Sequence, residues 1–334
     1  MKKEFIGYYS PSESEFTELW TKGRVIVDAN VLLAVYGVSP STRGTLLGLL
    51  GAVKDRLWIP NHFALEYQRN RLGKILEQVR HYEDAHRNLR TILDDKFRAR
   101  TQHPFVSEGV DSGLEGICKS LLEGKAEQEK LLAIDPHFAR TTELFEDRVG
   151  APYSEPELEK VYDAARKRYA ERIPPGFKDA DKPEPERYGD YVGWRQILDF
   201  AIKNSASVIL VTDDAKEDWW KREDARTFGP RPELVVEFRS CCSGLFYMYS
   251  SDRFLELSGK YIGGPVDPKA INELKERRES EPPPENRKPT AGAFSEALAV
   301  KSTGYASDLG AKVEKSILDI PKSTTQDLEK PEGD

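Results

Sequence analysis

The apolar positions of this chain fall into short solid runs and long periodic stretches. Arg24-Val25-Ile26-Val27-Asp28 is a β-branched run that ends in a carboxylate, the pattern of a strand buried on both faces. Leu46, Leu47, Leu49, Leu50 and Val53 follow at helical spacing, and Leu57-Trp58-Ile59 before Pro60 reads as a second short strand. From Asn61 onward, Leu65, Leu72, Ile75, Leu76, Val79, Tyr82, Leu89, Leu93 and Phe97 keep to one helical face, which predicts a single long amphipathic helix. A second helix is expected from about Leu114 to Leu132. A third opens at Ser154-Glu155-Pro156-Glu157, where a capping box meets a proline in the first turn, and continues through Leu158, Val161, Tyr162, Ala165 and Tyr169.

The α/β character returns after Ile173-Pro174-Pro175-Gly176. Tyr188 to Asn204 predicts a helix, Ser207 to Thr212 a fully buried strand, Ala215 to Arg222 the start of another helix, and Leu234 to Phe238 and Leu245 to Tyr249 two further strands. Strands alternating with helices imply a mostly parallel sheet covered on both faces. Residues 1–264 are therefore expected to form one α/β domain with a helical insertion at about 67–187. Past Gly263-Gly264-Pro265 the composition shifts: residues 265–334 hold 11 Lys+Arg, 14 Asp+Glu, a Pro282-Pro283-Pro284 run and few aromatics. Such a segment buries too little apolar surface to order itself, so a mostly disordered tail is expected there.

Composition narrows the class. No apolar run approaches the ~18 residues of a spanning helix, which excludes a membrane protein of that kind. The polar Met1-Lys2-Lys3-Glu4 opening and only three cysteines offer neither a signal core nor a disulfide framework, so a cytoplasmic location is expected. Cys241 and Cys242 are adjacent and Cys118 is distant, which gives no zinc spacing, and the five histidines give none either. With 57 acidic against 50 basic residues, a formal charge of −7, the chain does not grip nucleic acid by overall charge, although local binding through metals stays open.

Ligands of open α/β sheets sit at the carboxyl ends of the strands. Asp28 closes the first strand, and Asp213-Asp214 follow the strand that ends at Thr212. One such Asp is most simply a helix cap. Here, however, Glu66 lies on the helix after the second strand and Asp190 in the first turn of the helix before the Thr212 strand. Four carboxylates from distant segments suit a hard cation, Mg²⁺ or Mn²⁺, which prefers oxygen ligands and lowers the pKa of a bound water.

These segments resemble the PIN-domain nucleases. Val25-Ile26-Val27-Asp28-Ala29-Asn30 looks like the family's opening motif, a strand delivering the first metal-binding Asp with a small polar residue two positions later. In the family's order, Trp58-Ile59-Pro60-Asn61-His62-Phe63-Ala64-Leu65-Glu66, then Gly189-Asp190-Tyr191-Val192-Gly193-Trp194-Arg195, then Ile209-Leu210-Val211-Thr212-Asp213-Asp214 are similar to the segments bearing the other acidic residues. Ile173 to Asp179 and Arg231-Pro232-Glu233-Leu234 add a likeness to the large PIN-like branch found in prokaryotes. The resemblance covers roughly residues 20–260. It implies a three-layer PIN-like α/β fold, with Asp28, Glu66, Asp190 and Asp213 as catalytic and metal-binding groups and Asp214 as the rival for the fourth place. Asn30 and Thr212 would orient them. The implied reaction is hydrolysis of phosphodiesters in single-stranded or unpaired nucleic acid, RNA ahead of DNA, by a Mg²⁺- or Mn²⁺-activated water.

Lesser signals concern substrate and partners. Between Arg69 and His103 lie nine basic residues (Arg69, Arg71, Lys74, Arg80, Arg87, Arg90, Lys96, Arg98, Arg100) against five acidic ones. A solvated helix face accounts for most of them, while Arg69 and Arg71, nearest Glu66, are candidates for binding backbone phosphates. Lys216 either contacts phosphate or pairs with a carboxylate. Trp219-Trp220 are expected in the core rather than stacked on bases. The insertion and tail offer surfaces for self-association or a protein partner. Two rivals are weighed. A haloacid dehalogenase-type phosphatase with Asp28 as nucleophile wants an acid two residues on, where this chain has Asn30. A silent binding module would be expected to have lost carboxylates that this chain keeps.

Overall fold

The computed structural model describes residues 1–98, 107–224 and 226–280. Among them the strands are β1 (Arg24–Val27), β2 (Leu57–Trp58), β3 (Val208–Val211), β4 (Trp220–Glu223), β5 (Arg226–Pro230) and β6 (Phe246–Tyr249). The first, second, third and sixth form a parallel sheet in the order β2-β1-β3-β6, whereas β4 and β5 make a separate antiparallel hairpin. Register places Val27 opposite Val211 and Val211 opposite Tyr249, so these three strands end level. The chain leaves β1 toward β2 on one side, then returns to add β3 on the other. That reversal opens a crevice between the carboxyl ends of β1 and β3.

The helices are α1 (Glu13–Lys22), α2 (Ala29–Ala34), α3 (Pro40–Ala52), α4 (Asn61–Ile92), α5 (Glu108–Lys130), α6 (Pro136–Phe145), α7 (Glu155–Ala170), α8 (Gly189–Asn204), α9 (Pro232–Cys241), α10 (Ser251–Tyr261) and α11 (Pro268–Ser280). Successive strand residues face opposite sides of a sheet, and β6 shows which helices cover which side. Phe246 meets Trp194 of α8 and Phe238 of α9, while Tyr247 and Tyr249 meet Phe16 and Trp20 of α1. The result is a three-layer α/β arrangement around a β1 and a β3 whose valines, isoleucines and leucine are wholly buried.

Glycine sets one of the closest helix contacts. A Cβ on Gly193 of α8 would lie 2.1 Å from the Phe63 ring of α4, so only glycine lets these two helices, which carry Asp190 and Glu66, approach this far. Farther along, α4 pairs with an antiparallel α5 through Lys125–Glu83 and Arg90–Glu115. Leu65, Leu72 and Leu76, expected on the buried face of α4, are exposed; its buried residues are Phe63, Tyr67, Ile75 and Val79.

Three expectations are corrected. Leu234 to Phe238 is not a strand but the middle of α9, which starts at Pro232 and buries Leu234 and Phe238 one helical turn apart. A short apolar run has no period of its own with which to tell strand from helix. Ala215 to Arg222 starts no helix, because Asp214 and Lys216 fold into a side-chain-bonded turn and Trp220 enters β4. The tail does not begin at 265 as an unstructured segment. Helix α11 docks, burying Ala270 and Leu274, with Glu273 accepting from the Ser39 and Thr42 hydroxyls and Arg278 paired with Asp252. The expectation for 281–334, including the Pro282-Pro283-Pro284 run, lies outside the described residues. Among the described residues no helix is long and apolar enough to cross a membrane.

Candidate functional site

Asp28 stands at the N-cap position of α2, yet its side chain makes no capping bond. Oδ2 instead accepts from Thr212 Oγ1 at 2.6 Å and Asn30 Nδ2 at 2.7 Å, which ties the ends of β1 and β3 together across the crevice. Thr212 Oγ1 in turn accepts from the Asp214 amide, and Asn30 Oδ1 from the Asp213 amide. Thus Asn30 and Thr212 set both the direction of Asp28 and the turn that follows β3. Burial, with Glu66 nearby, pushes the Asp28 carboxyl well above the usual carboxylate range, against the bond from Thr212.

That turn sends two neighbouring carboxylates in different directions. Asp213 accepts from the backbone amide and hydroxyl of Ser251, both at 2.8 Å, and so faces the start of α10. Asp214 turns to Lys216, whose Nζ lies 2.9 Å away. The same ammonium reaches Asp190 of α8 at 2.8 Å and Asp179 at 3.0 Å, and its side chain is only 7% exposed. Of the two candidates for the fourth place, Asp214 is therefore the one beside Asp190, and Asp213 is not. Lys216 is paired with carboxylates rather than presented to solvent.

The electrostatics follow from this crowding. Burial would raise Asp190, but the Lys216 ammonium holds it below the usual range. Asp214 stays raised by burial and by Asp190 in spite of Lys216. Glu66 is an exposed residue, yet the protein around its carboxyl and the Asp190 charge push it up to about 7. Among the described residues Glu66 accepts no hydrogen bond and Asp28 Oδ1 has none drawn to it. Burial lowers His62, on the first turn of α4, against the pull of Asp190.

Two members of the group were not singled out by sequence. Asp179 binds both Lys216 and Lys182, and Asp218 is wholly buried. Asp218 Oδ2 accepts from the Gly176 and Lys178 amides, its Oδ1 has no partner, and burial together with Asp190 pushes it up to about 6. Gly176 makes this loop with φ of +94°, where a Cβ would sit 2.0 Å from the Tyr169 hydroxyl. The available signal was proximity: Asp218 lies two residues past Lys216, and Asp179 ends the Ile173–Asp179 segment.

The two arginine candidates separate. Arg71 pairs with Asp135 at 2.7 Å and stacks 4.4 Å over Phe138, locking α4 onto α6, so it is not a free phosphate ligand. Arg69 is exposed and makes no ion pair among the described residues. Trp219 and Trp220 are buried, as expected. Arg100 and the side chains of Lys96 and Arg98 lie outside the described residues.

The donors at this edge are oxygens, in the chemistry a hard divalent cation takes. Among the described residues no group of three or more His, Cys, Asp or Glu side chains is placed as a ready metal site. The fit lies in the donor set: the buried, unpartnered Asp218 Oδ1 and the carboxylates of Asp28, Glu66, Asp190, Asp214 and Asp179 outnumber the nearby cations. In comparison with known proteins, the family model described as PIN-like domain matches residues 24–234, and the chain belongs to that family. No curated protein and no solved structure matches.

Proposed function

We propose that the protein is a divalent-metal-dependent nuclease acting on phosphodiesters of single-stranded or unpaired nucleic acid, RNA ahead of DNA. The observation that carries this is the meeting of Asp28, Glu66, Asp190 and Asp214 at the β1/β3 crevice of a PIN-like domain, in excess over the cations beside them. The order of RNA before DNA rests on the family resemblance alone. Asp28, Glu66 and Asp190 would hold Mg²⁺ or Mn²⁺, which when bound supplies an activated water and neutralises charge building on the phosphate. Asn30 and Thr212 keep Asp28 oriented through Oδ2, and among the described residues Oδ1 accepts no hydrogen bond. Glu66, which accepts no hydrogen bond among the described residues, would orient the attacking water, and Lys216 holds Asp190 and Asp214 together. Arg69 meets the backbone of the strand from the exposed face of α4.

The phosphatase alternative fares poorly at Asn30. Its amide donates to Asp28 and its carbonyl accepts from Asp213, so it has no proton to give a leaving group. The test is cleavage of labelled single-stranded RNA and DNA with Mn²⁺ or Mg²⁺. Chelation should abolish cleavage, and Asp28→Asn should lower it by about 10²-fold or more while the protein stays folded. Undiminished cleavage in chelator overturns the reading.

A further inference from the structure

The Lys216 ammonium donates hydrogen bonds to Asp190 and Asp179 and makes a third close ion pair with Asp214. Asp190 Oδ2, Asp214 Oδ2 and Asp179 Oδ2 stand at 2.8, 2.9 and 3.0 Å around Nζ. This is an oxygen shell around a positive centre, built from α8, from the turn after β3 and from the loop before α8. Asp214 is committed twice, since its Oδ1 also accepts the Lys216 amide at 2.8 Å. Asp218, wholly buried and with Oδ1 unpartnered, adds further negative charge behind it. Glu66 and Asp28 also feel the Asp190 charge, and among the described residues Glu66 and Asp28 Oδ1 accept no hydrogen bond.

We propose that Lys216 is a tethered cation occupying one of two cation positions in the cluster, so that the site accepts a single divalent ion, in the half formed by Asp28, Glu66 and the remaining oxygen of Asp190. This rests on the divalent-ion reading above and goes beyond it in fixing the stoichiometry. A resident ammonium cannot polarise a water as a metal does, but it neutralises carboxylates without needing to be loaded. It also keeps Asp190 in place when the other half is empty.

The experiment is Mn²⁺ binding to the full chain, read as free Mn²⁺ by electron paramagnetic resonance. The wild type should bind one ion per chain. Lys216→Ala frees the oxygens of Asp179, Asp190 and Asp214 and should raise this to two, while Lys216→Arg, which keeps the charge, should remain at one. A wild type that binds two ions or none overturns the proposal, and that result holds even where Lys216→Ala does not fold. A folded Lys216→Ala that still binds one ion with unchanged affinity overturns it too. Cleavage measured on the same samples separates the two readings. One bound ion without cleavage leaves the tethered cation standing and removes the nuclease, and two ions with cleavage do the reverse.

Discussion

Two buried cations in this protein hold distant segments together, and they do so in opposite electrical settings. Arg168 of α7 grips Glu237 of α9 through both carboxylate oxygens, at 2.6 and 2.8 Å. Trp194 of α8 donates to the same carboxylate at 2.9 Å, and the guanidinium lies 4.6 Å from the centre of the Tyr191 ring. One positive charge meets one negative charge, and the pair ties three helices. Lys216 is buried as deeply but answers three carboxylates, with Asp28, Glu66 and Asp218 crowding behind them. A matched pair serves packing. An unmatched cluster costs stability, and proteins keep such clusters where another charge is to be bound.

The largest effect expected from this contrast is on the balanced side. Arg168→Met leaves Glu237 buried without its counter-charge and should lower unfolding free energy by about 3–5 kcal/mol, seen as a lower midpoint in denaturant. If stability is unchanged, the pair is not the tie described. Removing a charge from the unbalanced side should have the reverse sign. Glu66 keeps its proton in the folded protein until about 7 but loses it near 4.5 when unfolded. Stability of the metal-free protein therefore falls as pH rises between those values and stays lower above them. Because Glu66 is an exposed residue, screening leaves on the order of 1 kcal/mol. Metal-free Glu66→Gln should melt roughly 2–4 °C above wild type at pH 8 and level with it near pH 4.5. A variant that melts lower at pH 8 breaks the comparison.

The smallest effect distinguishes the arginines of α4. Arg71, matched to Asp135, belongs with Arg168, and its replacement by alanine should lower the melting temperature. Arg69→Ala should leave melting as it was and reduce the salt dependence of single-strand binding by about 0.7 in the log–log slope. An unaltered slope returns Arg69 to the solvated face.

Sequence revealed the strands that lead to the carboxylates because burial on both faces leaves an unmistakable apolar run, as in Val25 to Val27 and Val208 to Val211. It also picked out Glu66 and Asp190 by their places on α4 and α8. It could not tell Asp213 from Asp214. Their different directions come from Ser251, 38 residues downstream, which captures Asp213. Arg69 and Arg71 are alike on paper, and α6, unmarked by any strong period, separates them by bringing Asp135 to one of them. Asp179 and Asp218 join the group only because the Gly176 loop closes on both. The docking of α11 escaped notice for a similar reason: Ala270 and Leu274 are too few to outweigh a polar composition, and their partners lie in α3 and α10.

The parallel sheet has a consequence for the timing of synthesis. Asp28 and Thr212, whose bond joins the two halves of the crevice, are 184 residues apart in sequence, and β3 enters the sheet between two strands, one made before it and one after. A ribosome has therefore released Asp28 and Glu66 long before the chain that positions them exists. The carboxylates of the crevice therefore come together only when β3 has been made and the domain has closed.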